Sequence, residues 1–178
     1  CSSTDEVLER KGSWVPYNKG GTPNSWYGNQ DWVVRWKNAA ADLAAVRPRS
    51  VLENRYFFQP SVSWSNIGTS GAKFRYYPTG FVFDVAGMSA FPAEDEQRLL
   101  LLGYLNSAIV GRLLQTLAPT VNYQIGDIAK LPYFGEGPAG VSDLVRELIE
   151  LRTAKWRADE TSWDFETSPL LGRGSCVA

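Results

Sequence analysis

The sequence predicts an α+β domain in which a curved, mainly antiparallel sheet of short strands is followed by supporting helices. Before Pro92, frequent Gly and Pro residues separate short aromatic and β-branched runs, a pattern that favours antiparallel pairing over βαβ units. After Pro92, leucines recur at three- and four-residue spacings, which is typical of buried helix faces. The length of 178 residues fits one such domain.

The first quarter of the chain predicts a frayed end, a loop, a strand and a helix. Residues 1–13 are polar, and Ser13 to Asn29 is interrupted by Gly, Pro and Asn, so we expect a loop there. The aromatic and β-branched run from Trp32 to Trp36 predicts a strand. The alanine-rich run from Lys37 to Val46 predicts a short helix, which ends before Pro48.

Five further short runs predict the remaining strands. They are Tyr56–Phe58, Ser61–Ser65, Phe74–Tyr77, Phe81–Val85 and Met88–Phe91. Each is bounded by turn residues, which sets strand lengths of a few residues.

The second half predicts two long helical segments with apolar stripes. The first runs from Glu94 to Leu117, and Asn106-Ser107 is a candidate break within it. Its expected buried stripe is Leu99, Leu102, Leu105, Ile109, Leu113 and Leu117. A connecting strand or loop follows from Asn122 to Pro132, and the last helix runs from Val141 to Arg157. The expected buried stripe of this last helix is Val141, Leu144, Leu148 and Leu151.

These elements divide the chain into four segments. We expect a frayed N-terminal segment at 1–13, a sheet-rich basic part at 14–91, a helical supporting part at 92–157 of the same domain and a C-terminal tail at 158–178. The first residue is Cys1 and not a methionine, so we expect a piece of a longer protein.

Charge is distributed unevenly behind a net charge of −1. Ten basic and three acidic residues lie between Arg10 and Phe83, whereas thirteen acidic and eight basic residues lie from Asp84 onward. Between Trp14 and Phe83 lie 15 of the 23 aromatic residues. Because Lys and Arg neutralise phosphates and aromatic rings stack on nucleotide bases, this half predicts a polyanion partner such as a nucleic acid.

The candidate DNA-contacting residues are the basic side chains of this half and one tryptophan. They are Lys19, Arg35, Lys37, Arg47, Arg49, Arg55, Trp64, Lys73 and Arg75. Lys73 is the candidate phosphate contact, and Arg75 is the candidate reader of a guanine. Strand aromatics such as Phe57, Phe81 and Phe83 are expected in the core, whereas Trp26, Tyr27 and Trp64 are open to either role.

Several absences exclude classes of function. The chain has no histidine, which removes Ser-His and Cys-His catalysis and the usual zinc sites. It has two cysteines, Cys1 and Cys176, and no disulfide framework, as expected of a reduced intracellular protein. No P-loop occurs, and no apolar run is long enough to span a membrane. We therefore predict no catalytic, cofactor-binding or metal-ligating residue in this chain.

Aromatic and glycine motifs follow one another in an order that matches one family. The most specific are Trp14–Gly21, Trp26–Asn29 and Val33–Asn38, followed by Tyr56–Phe58, Val62–Ser65, Phe74–Asp84, Leu102–Ser107, Asn122–Ile128 and Thr161–Phe165. Over residues 14 to about 171 they resemble the region after the catalytic domain in PglX-like adenine-specific DNA methyltransferases of BREX phage-defence systems. The run from Leu102–Ser107 through Gly126–Pro132 to the closing helix is also similar to target-recognition domains of type I specificity subunits.

The resemblance implies a parent enzyme that uses S-adenosylmethionine to methylate adenine N6 at a specific site in double-stranded DNA, in the prokaryotic cytoplasm. The family's Asn-Pro-Pro-Tyr and cofactor-binding glycine motifs are missing here, so this chain is expected to be non-catalytic and to bind no cofactor. Its expected partners are DNA, the catalytic domain of the same polypeptide and other defence-system subunits. Thr79 and the short stretch Ala39 to Ala45 depart from the family pattern, so the recognised DNA sequence is not transferable.

Two other functions remain open on the residues alone. A protein-interaction module would use exposed tryptophans as anchors for partner subunits of the same defence complex. A carbohydrate-binding module would stack Trp and Tyr on sugar rings, although the absence of an export signal argues against it.

Overall fold

Two small sheets and a set of helices make up the described part of the chain. The structure is a computed structural model, and it describes residues 14–36, 55–169 and 171. Within these residues the elements are β1 Trp14–Asn18, β2 Trp32–Arg35, β3 Ser61–Ser65, β4 Phe74–Tyr77, β5 Val82–Phe83, β6 Gly87–Ala90, α1 Asp95–Leu105, α2 Ala108–Leu117, α3 Ile125–Ile128 and α4 Val141–Arg157. The predicted α+β class is confirmed.

The strands form two three-stranded sheets among the described residues, where the sequence predicted one. The first has the order β2-β1-β5, with β2 antiparallel and β5 parallel to β1. The second has the order β4-β3-β6 and is antiparallel throughout. Each sheet has its own apolar cluster: the first packs Val15 and Val82 with Trp36, and the second packs Val62 and Trp64 against the helices.

Strand β1 lies where the sequence predicted a loop. Pro16 and the glycines after Asn18 caused that error, because proline is rare inside central strands. Here β5 pairs only with Tyr17 and Asn18, so Pro16 has a strand neighbour on one side alone. The missing amide of Pro16 therefore breaks no ladder on the β5 side.

The predicted strand at Tyr56–Phe58 is a turn. Phe58 has φ of 66°, and its backbone is held in that left-handed conformation by two hydrogen bonds, from Phe58 N to Phe81 O and from Gly80 N to Phe58 O. Its ring is buried edge-on to Trp36. Burial of the aromatic ring in the first core outweighs the local strand preference. The core positions predicted for Phe57 and Phe81 are confirmed, and Phe83 is half-buried.

The long predicted helix breaks at Asn106-Ser107, where the sequence placed the candidate break. Asn106 stops α1, because its side-chain amide donates to Phe74 O at 2.8 Å and accepts from Phe74 N at 3.2 Å. Ser107 caps α2 by accepting from Val110 N. The two helices meet at 67°, which rotates the buried face of α2 to Val110 and Leu114. The predicted burial of Ile109 and Leu117 is therefore wrong, since both are exposed.

Helix α4 has the predicted bounds but buries a different face. Val145 packs against Gly103 of α1, where an added Cβ would lie 3.0 Å from a Val145 methyl. This close approach of the two helices turns Ser142 and Val145 inward and leaves Leu144 and Leu151 mostly in solvent. The predicted buried stripe of α4 is thus wrong at Leu144 and Leu151, whereas Val141 and Leu148 are half-buried. We call Leu144 and Leu151 the leucine ridge.

The remaining expectations fall partly outside the described residues. The predicted connection at 122–132 contains α3 and an isolated bridge between Ile67 and Asn122. The predicted helix from Lys37 to Val46, the segment 1–13, residue 170 and residues 172–178 lie outside the described part of the chain. Among described residues, no single helix is long and apolar enough to cross a membrane; only the bent pair α1 and α2 passes on length and composition.

A buried asparagine joins the two sheets. The Asn18 side chain, at the end of β1, donates from Nδ2 to Ser63 Oγ at 2.7 Å and to Gly87 O at 3.2 Å. Its Oδ1 accepts from Gly20 N at 3.2 Å. Ser63 belongs to β3 and Gly87 to β6, so this one amide links the first sheet to two strands of the second.

We expect Asn18→Ala to lower the free energy of unfolding by about 1–3 kcal/mol, because it leaves buried polar groups without a partner. The measurement is urea denaturation followed by circular dichroism. Asn122→Ala is the control, because Asn122 is exposed and should shift the value by less than about 0.5 kcal/mol. Equal effects of the two substitutions would contradict the linking role of Asn18.

One buried and one half-buried tyrosine predict a loss of stability in alkali. Burial raises the pKa of Tyr77 from 10.0 to about 12, and burial together with the Asp84 carboxylate raises the pKa of Tyr17 well above its usual value. The folded chain therefore retains phenol protons that the unfolded chain releases, and stability falls as the pH rises from about 10 towards 12. We expect Tyr77→Phe to make this fall shallower in denaturation curves measured across that pH range. Parallel pH profiles for Tyr77→Phe and the original chain would contradict the assignment.

Candidate nucleic-acid interface

Basic side chains in the two halves of the chain have different surroundings. Within the described residues, every ion pair is formed by a base of the helical half: Arg98, Lys130, Arg146 or Arg157. Arg75 of the sheet half is buried. The other described basic residues of this half form no ion pair with a described carboxylate; they are Lys19, Arg35, Arg55 and Lys73. Positive charge is therefore left uncompensated on the sheet half.

The edge of the first sheet carries exposed tryptophans beside two of these bases. Trp14 and Arg35 face each other across β1 and β2, and Trp14 is 62% exposed. Trp32 is 51% exposed, and Lys19 Nζ lies 4.7 Å from its ring centroid. We call Trp14, Lys19, Trp32, Val33 and Arg35 the β2-edge surface.

The register of β1 and β2 sets which residues of this surface share a face. Because directly opposed residues project to the same side of an antiparallel pair, Trp14, Val33 and Arg35 lie on the outer face. Val15, Val34 and Trp32 project to the other side; Val15 and Val34 pack in the first core, whereas Trp32 is exposed at the strand's beginning. Asp31 also lies exposed next to Trp32, yet it forms no ion pair within the described residues. An exposed strand pair with aromatic and cationic side chains can stack on bases and hold phosphates.

Arg55 is a further exposed basic residue, held against Tyr56. Its guanidinium carbon is 4.6 Å from the ring centroid of Tyr56, and Nη2 donates to the Tyr56 hydroxyl at 2.6 Å. Tyr56 in turn stacks on Phe91 with centroids 4.8 Å apart. The stacked rings hold the exposed cation in one place.

Lys73 lines a cavity of about 310 Å³ beside the turn between β3 and β4. We call it the Lys73 cavity; its polar and aromatic lining includes Ser25, Trp26, Ser70, Lys73, Ser107 and Gln115. Lys73 is half-buried, so its ammonium group can contact a ligand in the cavity or at its mouth.

Arg75 is buried, and its predicted role as a guanine reader is wrong for the folded chain. It is 0% exposed, and its guanidinium donates to Ser65 Oγ at 2.6 Å and to Asn24 O at 3.3 Å. Burial lowers the pKa of this guanidinium, with no described carboxylate paired to it. Arg75 thus ties the loop before β2 to the second sheet.

Trp64 is also buried, which corrects its prediction as a DNA contact. Its indole Nε1 donates to Tyr123 O at 2.9 Å, and its ring packs against Phe74. Trp26 and Tyr27 are half-buried, and the Tyr27 hydroxyl donates to Gln30 at 3.3 Å. Trp26 alone of this group lines the Lys73 cavity.

The remaining candidates lie outside the described residues: Lys37, Arg47 and Arg49. Sequence reasoning missed Trp14 and Trp32 as surface residues. Their signal was their position on short strands next to Arg35 and Lys19, but alternation does not tell which face of a sheet is covered.

Two curated methyltransferases are similar to this chain along almost its whole length. The chain is 37% identical over 176 residues to the adenine-specific methyltransferase PglX of Lacticaseibacillus casei, covering 95% of the chain. It is 29% identical over 180 residues to the adenine-specific methyltransferase BrxX of Escherichia coli, covering 99% of the chain. The chain spans only 15% of the length of either relative. No family model matches it.

We expect Arg75→Ala to lower the free energy of unfolding by about 1–3 kcal/mol, because the half-buried Ser65 hydroxyl and Asn24 carbonyl lose a charged donor. Arg55→Ala, at an exposed arginine, is the matched control and should change it by less than about 0.5 kcal/mol. Thermal denaturation of both variants measures the difference. A fully stable Arg75→Ala chain would contradict the structural role.

Proposed function

Because this chain corresponds to a segment of a PglX-like protein, we propose that it is the DNA target-recognition domain of a site-specific adenine-N6 methyltransferase in a phage-defence system. One observation carries the proposal. Basic side chains on the sheet half form no ion pair within the described residues, and exposed tryptophans lie among them. In this proposal the chain sets sequence specificity, and another part of the polypeptide binds S-adenosylmethionine and transfers the methyl group in the bacterial cytoplasm.

The β2-edge surface suits a DNA groove. A two-stranded β-ribbon fits the major groove, and β1 with β2 presents Trp14, Val33 and Arg35 on its outer face. Arg35 would contact phosphate or a base edge there, and Lys19 would contact phosphate beside Trp32. Arg55, held against Tyr56, would add a phosphate contact.

The division of labour follows from the chemistry of the reaction. Adenine N6 lies inside the duplex, so a methyltransferase has to flip the base into its active site. A separate domain that grips the flanking duplex fixes which adenine is presented. The helical half, where four of the seven described basic residues at 92–157 pair with carboxylates, would support the surface that contacts DNA and face the rest of the polypeptide or other defence subunits.

A protein-interaction module is the second candidate function. The leucine ridge favours it, because Leu144 and Leu151 are large apolar side chains left in solvent on α4. Such anchors stabilise a protein interface by excluding water and bind no polyanion. The two functions therefore differ in their response to salt.

Fluorescence anisotropy of a labelled DNA duplex, titrated with the chain across a salt series, tests the proposal. If Lys19, Arg35, Arg55 and Lys73 each neutralise one phosphate, log affinity falls against log salt with a slope of about −3 to −4. Arg35→Ala should flatten the slope by about 0.9. Arg146→Ala is the matched control, since Arg146 is exposed but already paired with Glu96 and Asp143.

A flat salt response, or an equal effect of Arg146→Ala and Arg35→Ala, would contradict the DNA role. If DNA binding is absent and Leu151→Asp abolishes capture of the separately produced remainder of the methyltransferase, the interaction function replaces it.

A further inference from the structure

The Lys73 cavity is assembled from parts of the chain that are far apart in sequence. The segment at Ser25 and Trp26, the turn from Ser70 to Lys73, the junction of α1 and α2, and one side of α2 all contribute walls. Asn106 holds the junction against β4 through its hydrogen bonds to Phe74. The cavity is therefore fixed by the packing of the second sheet on the helices, and its volume lies at the lower end of small-ligand pockets.

The polar groups in this cavity have the chemistry of an anion site. Lys73 forms no ion pair or hydrogen bond with any described residue. The side chains of Ser25, Ser70 and Gln115 likewise form no hydrogen bond within the described part of the chain. No carboxylate lines the cavity, so its one lysine and its free donors are available for a negatively charged group.

Trp26 is held at the cavity wall by an unusual backbone. Its φ of 75° lies in the left-handed region, where a bulky residue costs about 1–3 kcal/mol. Two hydrogen bonds of 2.8 Å hold it there, from Trp26 N to Phe74 O and from Tyr76 N to Trp26 O. Trp26 and Lys73 line the same cavity, so an aromatic ring and a lysine without a described ion-pair partner are both available there to a ligand with a flat ring and a negative charge.

We propose that the Lys73 cavity binds one phosphorylated nucleotide unit, with its phosphate on Lys73 and its base or sugar against Trp26. Leu105, Leu114 and Ala72 provide apolar wall around the ring, while Ser25, Ser70 and Gln115 donate to or accept from its polar edges. The proposal rests on the proposed function only for the source of the nucleotide, which would be an unstacked nucleotide of the bound DNA. A free nucleotide carries the same chemistry.

The first arm of the test uses thymidine 5′-monophosphate with the 178-residue chain. Nuclear magnetic resonance follows the indole N–H signal of Trp26, assigned by its loss in Trp26→Phe. We expect a saturable shift with the nucleotide and binding of unphosphorylated thymidine about tenfold weaker, because the charged hydrogen bonds to Lys73 are missing. Lys73→Gln should weaken nucleotide binding about tenfold, and Lys130→Gln, which removes the same charge outside the cavity, should not.

A second variant guards against unfolding by Lys73→Gln. Gly111 lines the cavity, and a Cβ added there meets nothing within 4 Å, so the side chain of Gly111→Trp begins in open space and can occupy the cavity. Gly126→Trp is its control, because Gly126 is equally open but lies away from the cavity. We expect Gly111→Trp to abolish the Trp26 shift and Gly126→Trp to preserve it. A Trp26 signal that does not move with thymidine monophosphate, or moves equally in Lys73→Gln, overturns the proposal.

The second arm measures anisotropy of a labelled DNA duplex and separates the two sources. Weaker DNA binding by both Lys73→Gln and Gly111→Trp assigns the cavity to a nucleotide of DNA. DNA binding unchanged in both, with the thymidine monophosphate shift retained in the original chain, supports the cavity as a site for free nucleotide. If the original chain binds no DNA but shows the shift, the target-recognition function fails while the nucleotide site stands.

Discussion

The structure depends on the buried Asn18 amide, which joins two sheets that have separate cores. Its hydrogen bonds to Ser63, Gly87 and Gly20 require the backbones of the two sheets to lie close together at this point. An added Cβ at Gly87 would lie 2.3 Å from Asn18 Oδ1, and one at Gly20 would lie 2.4 Å from Ala86 O. The backbone at Gly87 and Gly20 therefore lies too close to its neighbours for a side chain, which explains why glycine occupies both positions. The same junction leaves Lys19 exposed and in reach of Trp32.

The two sheets present different surfaces because they are covered differently. The second sheet is packed under α1 and the other helices, so most of its aromatic side chains are buried. The Lys73 cavity lies where this sheet meets the helices. The first sheet has only a small core with Phe57 and Phe58, and its β2 edge stays in solvent. The charges follow this division. Ion pairs of Arg98 and Arg146 stabilise the helices, whereas Lys19 and Arg35 have no carboxylate partner within the described residues. In the proposed function, the β2-edge surface and the Lys73 cavity are the parts of the described chain that would contact a polyanion.

The motifs that carry the resemblance to PglX-like proteins are largely structural. Arg75 and Tyr77 lie in the Phe74–Asp84 motif, and both use their polar atoms to hold the loop at 24–29 through backbone carbonyls. A match in such a motif therefore reports the shared fold of the segment, and the relatives at 37% and 29% identity extend that match along the chain. DNA sequence preference would be carried by the exposed side chains, which the fold constrains much less.

The sequence by itself determined the α+β class, strands β3 and β4, the bounds of α4, the break at Asn106-Ser107 and the uneven charge. These features depend on local periodicity, capping and composition, which a window of neighbouring residues contains. Only the tertiary structure decided that β1 is a strand, that α4 turns Val145 inward, and that Arg75 is buried. Each of these depends on a partner distant in sequence: β5 beside β1, Gly103 under α4, and Asn24 O on Arg75. Periodicity shows that a helix or strand has an apolar face, but the neighbour that covers it decides which residues are buried.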